Sequence, residues 1–277
     1  MNHLLNVRGR LLDLSTPAVM GILNVTPDSF HDGSLYSDTD AAVSHAERMV
    51  AEGAAIIDIG AQSTRPGADY LDAETEWQRI HKLIPLLVKK YPEVVFSIDT
   101  FHAEVARRSV LEGCAIVNDV SGGTLDSNMF ETIASLQVPY VLMHMKGVPA
   151  DMQSDPRYDD VIREVFDHFA QKTHALRQAG VRDIIIDPGF GFGKTIDHNY
   201  QLLRGMKIFC ELDCPVLAGV SRKSMINKVL GISQKEALNG TTVLNTIALL
   251  NGASLLRVHD VRQAVEAIRL TQAMLKA

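Results

Sequence analysis

Residues 183–187 read DIIID, three isoleucines in a row that end abruptly at a carboxylate. A short apolar run that stops at a polar or charged residue occurs eight times along the chain. Such continuous runs are typical of parallel strands buried on both faces. The other seven are AVMGIL before Asn24, AAIIDIG before AQSTRPG, VVFSI before Asp99, AIV before Asn118, PYVLM before His144, PVLAGV before SRK at 221–223, and SLL before Arg257 and His259.

The segments between these runs have apolar residues spaced at three and four, which predicts helices. We expect helices at 38–52, 72–90, 102–112, 157–179, 197–209, 221–230, 234–250 and 261–276. Eight strand–helix units within about 250 residues predict a (β/α)₈ TIM barrel, a fold of the α/β class. A doubly wound sheet is the alternative, but its ligand contacts would gather at one switch point, whereas polar residues here follow every strand.

The segment 4–15, LLNVRGRLLDLS, alternates around Arg8 and Gly9. This pattern predicts a short β-hairpin that plugs the amino-terminal mouth of the barrel. No low-complexity linker interrupts the chain, so we interpret residues 1–277 as a single domain.

The composition excludes several classes of protein. The chain is 46% hydrophobic and 22% charged with a net charge of -6, so nucleic acid is not expected as its main partner. No apolar stretch reaches membrane-spanning length and no signal peptide is evident, which predicts a cytoplasmic protein without a membrane partner. The three cysteines fit neither a disulfide framework nor a zinc site.

Polar side chains stand where three predicted strands leave the core, at Asp99, Asn118 and Asp187. An aspartate at such a boundary often caps the next helix, and Asp99 precedes a predicted helix start. Three such groups converging on one mouth favour a ligand site instead. A carboxylate beside an amide can grip a flat heterocycle that offers N–H donors and a carbonyl.

Cationic residues follow the last two predicted strands, which commonly build the anion site of a barrel. Arg222, Lys223 and Ser224 come after the seventh run, and Arg257 and His259 after the eighth. Arginine offers a planar fork that suits phosphate and can also stack on a ring. Two alternatives stay open: an exposed salt bridge for Arg222, and a Schiff base at Lys223.

The segment 187–195, DPGFGFGKT, ends like a phosphate-binding loop but lacks its spacing. That motif needs a glycine five positions before Gly-Lys-Thr, and Pro188 stands there. We interpret the segment as a wall on which Phe190 and Phe192 flank a ligand, with a tight turn around one buried phenylalanine as the alternative. Lys194 is expected to be solvated.

Two long segments, 24–38 and 61–72, follow the first two runs and are typical of functional loops, although a solvated connection is the alternative. Asn24 opens the first of them. It could supply one neutral ligand to Mg²⁺, which takes one or two protein groups together with phosphate oxygens, or it could form a turn. His144 and His259 are candidates for acid–base chemistry, but a lone histidine at a strand end is more often structural.

The chain closely resembles the dihydropteroate synthase family over nearly its whole length. The segments that carry the resemblance stand in family order: GILNVTPDSFHDGS, IIDIGAQSTRPGA, FSIDT, IVNDVSGG, VLMHMKG, IIIDPGFGFGK, GVSRKSM and LLRVHDV. Ala61 and Gln62 replace the glycine and glutamate of many members, and no residue of the catalytic set is replaced.

The resemblance implies a transferase that joins p-aminobenzoate to 6-hydroxymethyl-7,8-dihydropterin diphosphate, releasing pyrophosphate. It implies that Lys223, Arg257, His259 and Asp99 are catalytic and that Asn24 binds Mg²⁺. The implied pterin-diphosphate site comprises Thr64, Asp99, Asn118, Met143, Asp187, Lys223, Arg257 and His259. The implied p-aminobenzoate site comprises Phe30, Thr64, Arg65, Pro66, Phe192, Lys223 and Ser224.

Other functions for such a barrel stay open. A pterin-binding barrel that passes a methyl group from a folate to a corrinoid protein would share the pterin acids, but it has no need of the STRPG and SRKS segments. A silent paralogue would bind a pterin without turning it over. Members of the family are usually homodimers, so the resemblance also implies a homodimer.

Overall fold

The computed structural model describes residues 4–25, 35–62, 70–147, 152–153 and 155–277, with side chains from residue 39 onwards in the second range. The described chain begins with an antiparallel hairpin, β1 (Leu4–Val7) and β2 (Arg10–Asp13). Its two turn residues, Arg8 and Gly9, have φ of 58° and 84°. Positive φ at both positions suits the twist of a tight hairpin. The predicted hairpin is confirmed.

Eight further strands form a closed parallel barrel. They are β3 (Ala18–Asn24), β4 (Ile56–Gly60), β5 (Val95–Asp99), β6 (Ile116–Asp119), β7 (Tyr140–Met143), β8 (Ile184–Asp187), β9 (Val216–Ala218) and β10 (Ala253–Val258). Each strand pairs with its neighbour in chain order, and β10 pairs with β3 to close the ring. The predicted TIM barrel is confirmed, and the doubly wound alternative is wrong.

The barrel is wrapped by ten helices within the described residues. They are α1 (Leu35–Glu52), α2 (Ala73–Ile80), α3 (Leu83–Lys90), α4 (Ala103–Leu111), α5 (Met129–Leu136), α6 (Val161–Gln178), α7 (Ile196–Gly205), α8 (Ser224–Leu230), α9 (Leu238–Leu250) and α10 (Val261–Lys276). Short 3₁₀ segments occupy 206–212 and 234–236. Among these helices none is long and apolar enough to cross a membrane.

The helices differ most from the predictions at two places. The single helix expected over 72–90 is divided into α2 and α3. Pro85 explains the division, because it lacks an N–H and its ring crowds the carbonyl of His81 one turn earlier. Helix α5 was not predicted at all, since its eight residues are too few for a helical period to stand out.

The hairpin plugs one end of the barrel, as predicted. Leu5, Val7 and Leu14 are buried against side chains that fill the lower barrel interior, among them Met20, Ile56, Val95, Ile116, Val141, Ile185, Leu217 and Leu255. The backbone N–H of Asn6 also donates to the Asp183 carboxylate at 3.0 Å, just before β8. The opposite end, where the strands finish, is therefore the end open to ligands.

Candidate active site

The carboxyl ends of the strands bring the predicted polar residues to one mouth. Asn24 ends β3, Asp99 ends β5 and Asp187 ends β8, while Asn118 lies in β6. Asp99 and Asn118 are direct partners in the parallel register. The sheet itself thus sets the spacing of these groups, because neighbouring strands lie about 4.8 Å apart.

Arg257, on β10, lies at the centre of a buried charged network. Its Nε donates to the Asp58 carboxylate at 2.7 Å, and its Nη2 donates to Asp99 at 2.5 Å. The same oxygen of Asp58 accepts a hydrogen bond from Asn118 Nδ2 at 2.8 Å. Asp58 therefore fixes both a predicted cation and a predicted amide, although the sequence analysis did not select it. The available signal was a carboxylate inside the otherwise apolar strand IIDIG, since a buried charge requires a partner.

Replacing Asp58 with asparagine should lower the free energy of unfolding by about 2 kcal/mol. The asparagine oxygen could keep both hydrogen bonds, but the negative charge opposite Arg257 would be lost and an NH₂ group would be buried where the second oxygen of Asp58 has no hydrogen-bond partner among the described residues. Urea unfolding followed by circular dichroism measures the change. Asp167→Asn, which removes a carboxylate charge on the exposed face of α6, is the matched control. Equal urea midpoints for Asp58→Asn and the wild type would contradict the role of Asp58.

The carboxylates of the mouth are held in an environment that resists ionisation. Burial raises the pKa of Asp99 to about 7; Arg257 opposes this shift, and neighbouring carboxylates add to it. Burial also raises the pKa of Asp187, although Lys223 and the Gly189 N–H oppose the shift. A ligand that donates N–H groups to these carboxylates would favour their charged form.

Lys223 connects the acidic part of the mouth with an aromatic ring. Its Nζ donates to the Phe190 carbonyl and lies 4.8 Å from the centre of the Phe192 ring. A side chain at Gly219 would meet both Asp187 Oδ2 and Lys223 Nζ at 3.8 Å, so these two groups face one gap. Burial lowers the pKa of Lys223 to about 8, with Asp187 opposing the shift. Lys223 thus remains mostly cationic at neutral pH.

His259 is held by a residue that the sequence analysis quoted without assigning it a role. Ser221 Oγ lies 2.9 Å from His259 Nδ1 and accepts the His259 backbone N–H at 3.2 Å. The ring reaches solvent at the rim, yet surrounding protein atoms, Arg257 and Arg222 lower its pKa to about 4. The imidazole is neutral at pH 7. Because Nδ1 contacts Ser221 Oγ, Nε2 is the ring nitrogen left to contact a ligand.

Arg222 does not face the mouth. Its guanidinium binds both oxygens of the Asp260 carboxylate, at 2.8 and 2.6 Å. The salt bridge considered for this residue is therefore observed, although it is half-buried rather than exposed. Ser224 is exposed at the first position of α8.

The glycine-rich segment differs from its prediction in two respects. Phe190 is fully buried in the core outside the barrel, so only Phe192 borders the mouth. Lys194 is 3% exposed instead of solvated. The sequence could not distinguish the two phenylalanines, because which of them faces inward depends on the turns made by the intervening glycines.

An apolar floor completes the mouth. Met143, Phe101 and Val120 form a buried cluster, against which Leu125, Met145 and Phe192 pack. The adjacent His144 points away into a bond between its Nδ1 and Lys194 Nζ at 2.9 Å. Burial lowers the pKa of His144 to about 2. This geometry agrees with the interpretation of His144 as structural and leaves Met143 as part of the apolar floor.

Asn24 and Asp99 share a gap that could accept a cation. A Cβ atom on Gly60, which lies between them on β4, would stand 3.7 Å from Asn24 Oδ1 and 3.7 Å from Asp99 Oδ2. Amide and carboxylate oxygens are the ligands that Mg²⁺ prefers. Asn24 and Asp99 could supply two oxygen ligands to this ion, although the same Asp99 oxygen also accepts Arg257 Nη2. Within the described residues, no group of three or more His, Cys, Asp and Glu side chains could hold a metal.

Four predicted site residues lie outside the described residues: Phe30, Thr64, Arg65 and Pro66. Their assignments remain predictions.

Comparison with known proteins identifies close relatives. Residues 20–259 match the family described as "Pterin binding enzyme". The dihydropteroate synthase of Escherichia coli (strain K12) is 44% identical over 272 residues, which cover 98% of this chain and 96% of the relative.

Solved structures agree in fold along almost the entire chain. The Yersinia pestis dihydropteroate synthase with a sulfonamide drug complex has a TM-score of 0.93 at 39% identity, covering 99% of this chain and 100% of that one. The Xanthomonas albilineans dihydropteroate synthase with 4-aminobenzoic acid has a TM-score of 0.93 at 41% identity, covering 100% of both chains.

Proposed function

Because the chain belongs to the dihydropteroate synthase family of pterin-binding enzymes, we propose that it condenses p-aminobenzoate with 6-hydroxymethyl-7,8-dihydropterin diphosphate. The products are 7,8-dihydropteroate and pyrophosphate. The observation that carries the proposal is the buried network in which Arg257 joins Asp58 and Asp99, with Asn118 beside them. The chain is a transferase, because its relatives are named dihydropteroate synthases and that reaction transfers a pterin-methyl group to an aryl amine.

The pterin ring is proposed to lie on the apolar floor of the barrel mouth. Met143 would pack against its face, while Asp187, Asn118 and Asp99 would accept or donate along its polar edge. These groups end or lie in neighbouring strands, and the pairing of the strands fixes their relative positions. Lys223 faces the same gap as Asp187 and would bind the ring carbonyl.

The p-aminobenzoate is proposed to enter above the pterin, beside Phe192. That ring packs on the apolar floor and lies under Lys223. Ser224 is exposed at the start of α8, next to Lys223, and would contact the substrate carboxylate. Phe30, Thr64, Arg65 and Pro66 are proposed to complete this pocket, and Thr64 to reach the diphosphate as well.

The diphosphate is proposed to bind at the rim between Asn24, Arg257 and His259. Arg257 would supply charge, and the neutral His259 would donate from Nε2. Asn24, with Asp99 beside it, would hold Mg²⁺, whose bound charge stabilises the departing pyrophosphate. Donors fixed in place before the reaction stabilise developing charge better than mobile water does.

The reaction is proposed to begin with cleavage of the bond between the pterin methylene carbon and the diphosphate oxygen, the electron pair leaving with pyrophosphate. The positive charge that develops on the pterin is supported by the carboxylates of Asp99 and Asp187. The amine nitrogen of p-aminobenzoate then forms the new C–N bond and loses one proton to pyrophosphate or water. Substrates packed on Met143 and Phe192 would exclude competing water.

The direct test is to mix the purified protein, Mg²⁺, the pterin diphosphate and p-aminobenzoate and to follow dihydropteroate and pyrophosphate. Both products should form in equal amounts, and a sulfonamide should compete with p-aminobenzoate. A folded sample that binds the pterin without forming product would instead support the silent paralogue. Methyl transfer from a folate to a corrinoid protein would support the second alternative.

Replacing Asn24 with alanine should raise the Mg²⁺ concentration needed for half-maximal rate by about tenfold or more. The rim would lose one of the two oxygens that face the gap above Gly60. Rates measured across a Mg²⁺ titration after treatment with EDTA test the prediction. Asn251→Ala, which removes an amide remote from the mouth that donates to Leu203, is the control. An unchanged Mg²⁺ requirement for Asn24→Ala would contradict the proposed ligand.

A homodimer is proposed to form through α9 and α10. Six large apolar side chains are exposed on these adjacent helices: Val243, Ile247, Leu250, Leu270, Met274 and Leu275. A groove of 320 Å³ runs between the two helices. Apolar patches of this kind mark protein interfaces, and a second copy related by two-fold symmetry would cover the same surface on both chains.

The double variant Ile247→Lys/Leu270→Lys should be monomeric, because two buried ammonium groups per chain would oppose association. Light scattering after gel filtration measures the mass. Leu111→Lys adds a charge at an equally exposed leucine on α4 and should leave the dimer intact. A wild-type monomer would contradict the proposal.

We also propose that residues 1–277 act as one domain and that the protein works in the cytoplasm. The shared burial of the hairpin and the barrel supports the first point. The free thiols of Cys114, Cys210 and Cys214 fit a reducing compartment.

A further inference from the structure

Lys194 is a buried cation with no role in the chemistry described above. Its Nζ donates to the carbonyls of Gly189 and Phe192, both at 3.0 Å, and to that of His144 at 3.3 Å. Nδ1 of His144 lies 2.9 Å away. Burial lowers the pKa of Lys194 to about 7, with Asp187 opposing the shift. Both the ammonium and the neutral amine can donate hydrogen bonds, so Nζ holds these three carbonyls around one point.

The segment 188–193 folds around that ammonium. Gly189, Gly191 and Gly193 all have positive φ, between 60° and 85°. A Cβ atom at Gly189 would stand 2.0 Å from the His144 carbonyl, and one at Gly193 would stand 2.1 Å from the Lys146 carbonyl. The glycines therefore permit the turns but, being flexible, do not select them. Lys194 supplies contacts that favour these turns, because its Nζ donates to the carbonyls of both Gly189 and Phe192.

The same segment presents two groups to the mouth. The Phe192 ring packs against the floor that contains Met143, and the Phe190 carbonyl accepts Lys223 Nζ. Lys194 bonds the Phe192 carbonyl directly, so it fixes the backbone that carries this ring. Two lysines thus hold one segment from opposite sides, Lys223 from the mouth and Lys194 from beneath.

We propose that Lys194 is a positioning residue for the second substrate: it holds the segment 188–193 so that Phe192 forms one wall of the p-aminobenzoate pocket. This inference rests on the proposed function. It differs from a general stabilising role, because Asp99, Asn118 and Met143, which are proposed to hold the pterin, lie on barrel strands. None of the three is a hydrogen-bond partner of Lys194.

Steady-state kinetics of Lys194→Met test the proposal. The change keeps the length of the side chain and removes the ammonium. KM for p-aminobenzoate should rise by about tenfold or more, because small displacements of a positioned group have effects of this size, and KM for the pterin diphosphate should change much less. Lys146→Met is the matched control. It removes an ammonium near the same segment that instead bonds Arg157 and Glu164, and it should leave both KM values unchanged.

A double-mutant cycle with Phe192→Ala separates positioning from a purely structural effect. If Lys194 acts through the Phe192 ring, Lys194→Met should add little to KM for p-aminobenzoate once that ring is gone. Additive effects, or equal increases in both KM values, would overturn the proposal.

Asn199→Ala covers the case in which Lys194→Met does not fold. Asn199 Oδ1 accepts the Gly191 N–H at 2.6 Å and so restrains the same segment. It should raise KM for p-aminobenzoate selectively, and an unchanged KM would overturn the proposal. Failure of the wild-type enzyme to form dihydropteroate would contradict the proposed function itself. An active wild-type enzyme with unchanged KM values in the variants would contradict only the proposed role of Lys194.

Discussion

Replacing Arg257 with alanine should lower kcat by about 100- to 1,000-fold, the loss observed when one preorganised donor to a developing oxyanion is removed. The guanidinium is held by Asp58 and Asp99, so its remaining N–H groups are already aimed when the diphosphate binds. Alanine removes the donor and its charge together. Stopped assays of pyrophosphate release measure kcat at saturating substrates.

The Arg257 variant needs a control for folding, because it leaves two buried carboxylates without their cation. Arg177→Ala removes a guanidinium that donates to the Leu212 carbonyl, far from the mouth, and should retain wild-type kcat. Arg257→Lys would restore charge without the fork and should recover only part of the rate. An Arg257→Ala enzyme that is folded and turns over at the wild-type rate would refute the role of this residue.

Replacing Asp187 with asparagine should weaken binding of the pterin diphosphate by about 1.5–3 kcal/mol, the usual value of a hydrogen bond to a charged group. One oxygen of Asp187 accepts the Gly189 N–H at 2.8 Å, and the asparagine oxygen would keep that place. Its NH₂ group would then face the N–H donors of the pterin, so attraction would become repulsion. Titration calorimetry measures the affinity.

Asp167→Asn, on the outer surface of α6, is the control for the Asp187 variant and should bind the pterin diphosphate normally. Because the loss concerns the pterin ring rather than the second substrate, KM for p-aminobenzoate should change little. Calorimetric affinity equal to that of the wild type would show that Asp187 does not contact the pterin edge.

The sequence was sufficient to predict the barrel fold because its strands are short, are apolar on both faces and end at polar residues. The same argument located Asn24, Asp99 and Asp187 correctly at the mouth. The carboxyl ends of all the parallel strands lie at the same end of the barrel, so residues that end these strands lie there too. It did not find helix α5, and it did not foresee the division at Pro85, where a local steric effect interrupts an otherwise continuous helical period.

Sequence patterns could not predict which side chains of the site pair with one another. Asp58 and Arg257 are 199 residues apart in the chain, and only closure of the ring brings β4 and β10 to opposite sides of β3. Lys194 was misjudged for a related reason. Its partners are backbone carbonyls, which leave no signature in a sequence, so a lysine beside glycines looked solvated.

The hairpin beneath the barrel has a kinetic consequence. Because Leu5, Val7 and Leu14 fill the lower interior, ligands reach the described part of the barrel from the end where the strands finish. Whatever binds deepest must arrive first and depart last. In the proposed binding mode, the pterin moiety would therefore lie beneath its own diphosphate and then beneath the arriving amine. Pyrophosphate at the rim would leave first, and dihydropteroate would leave through the end of the barrel by which both of its halves entered.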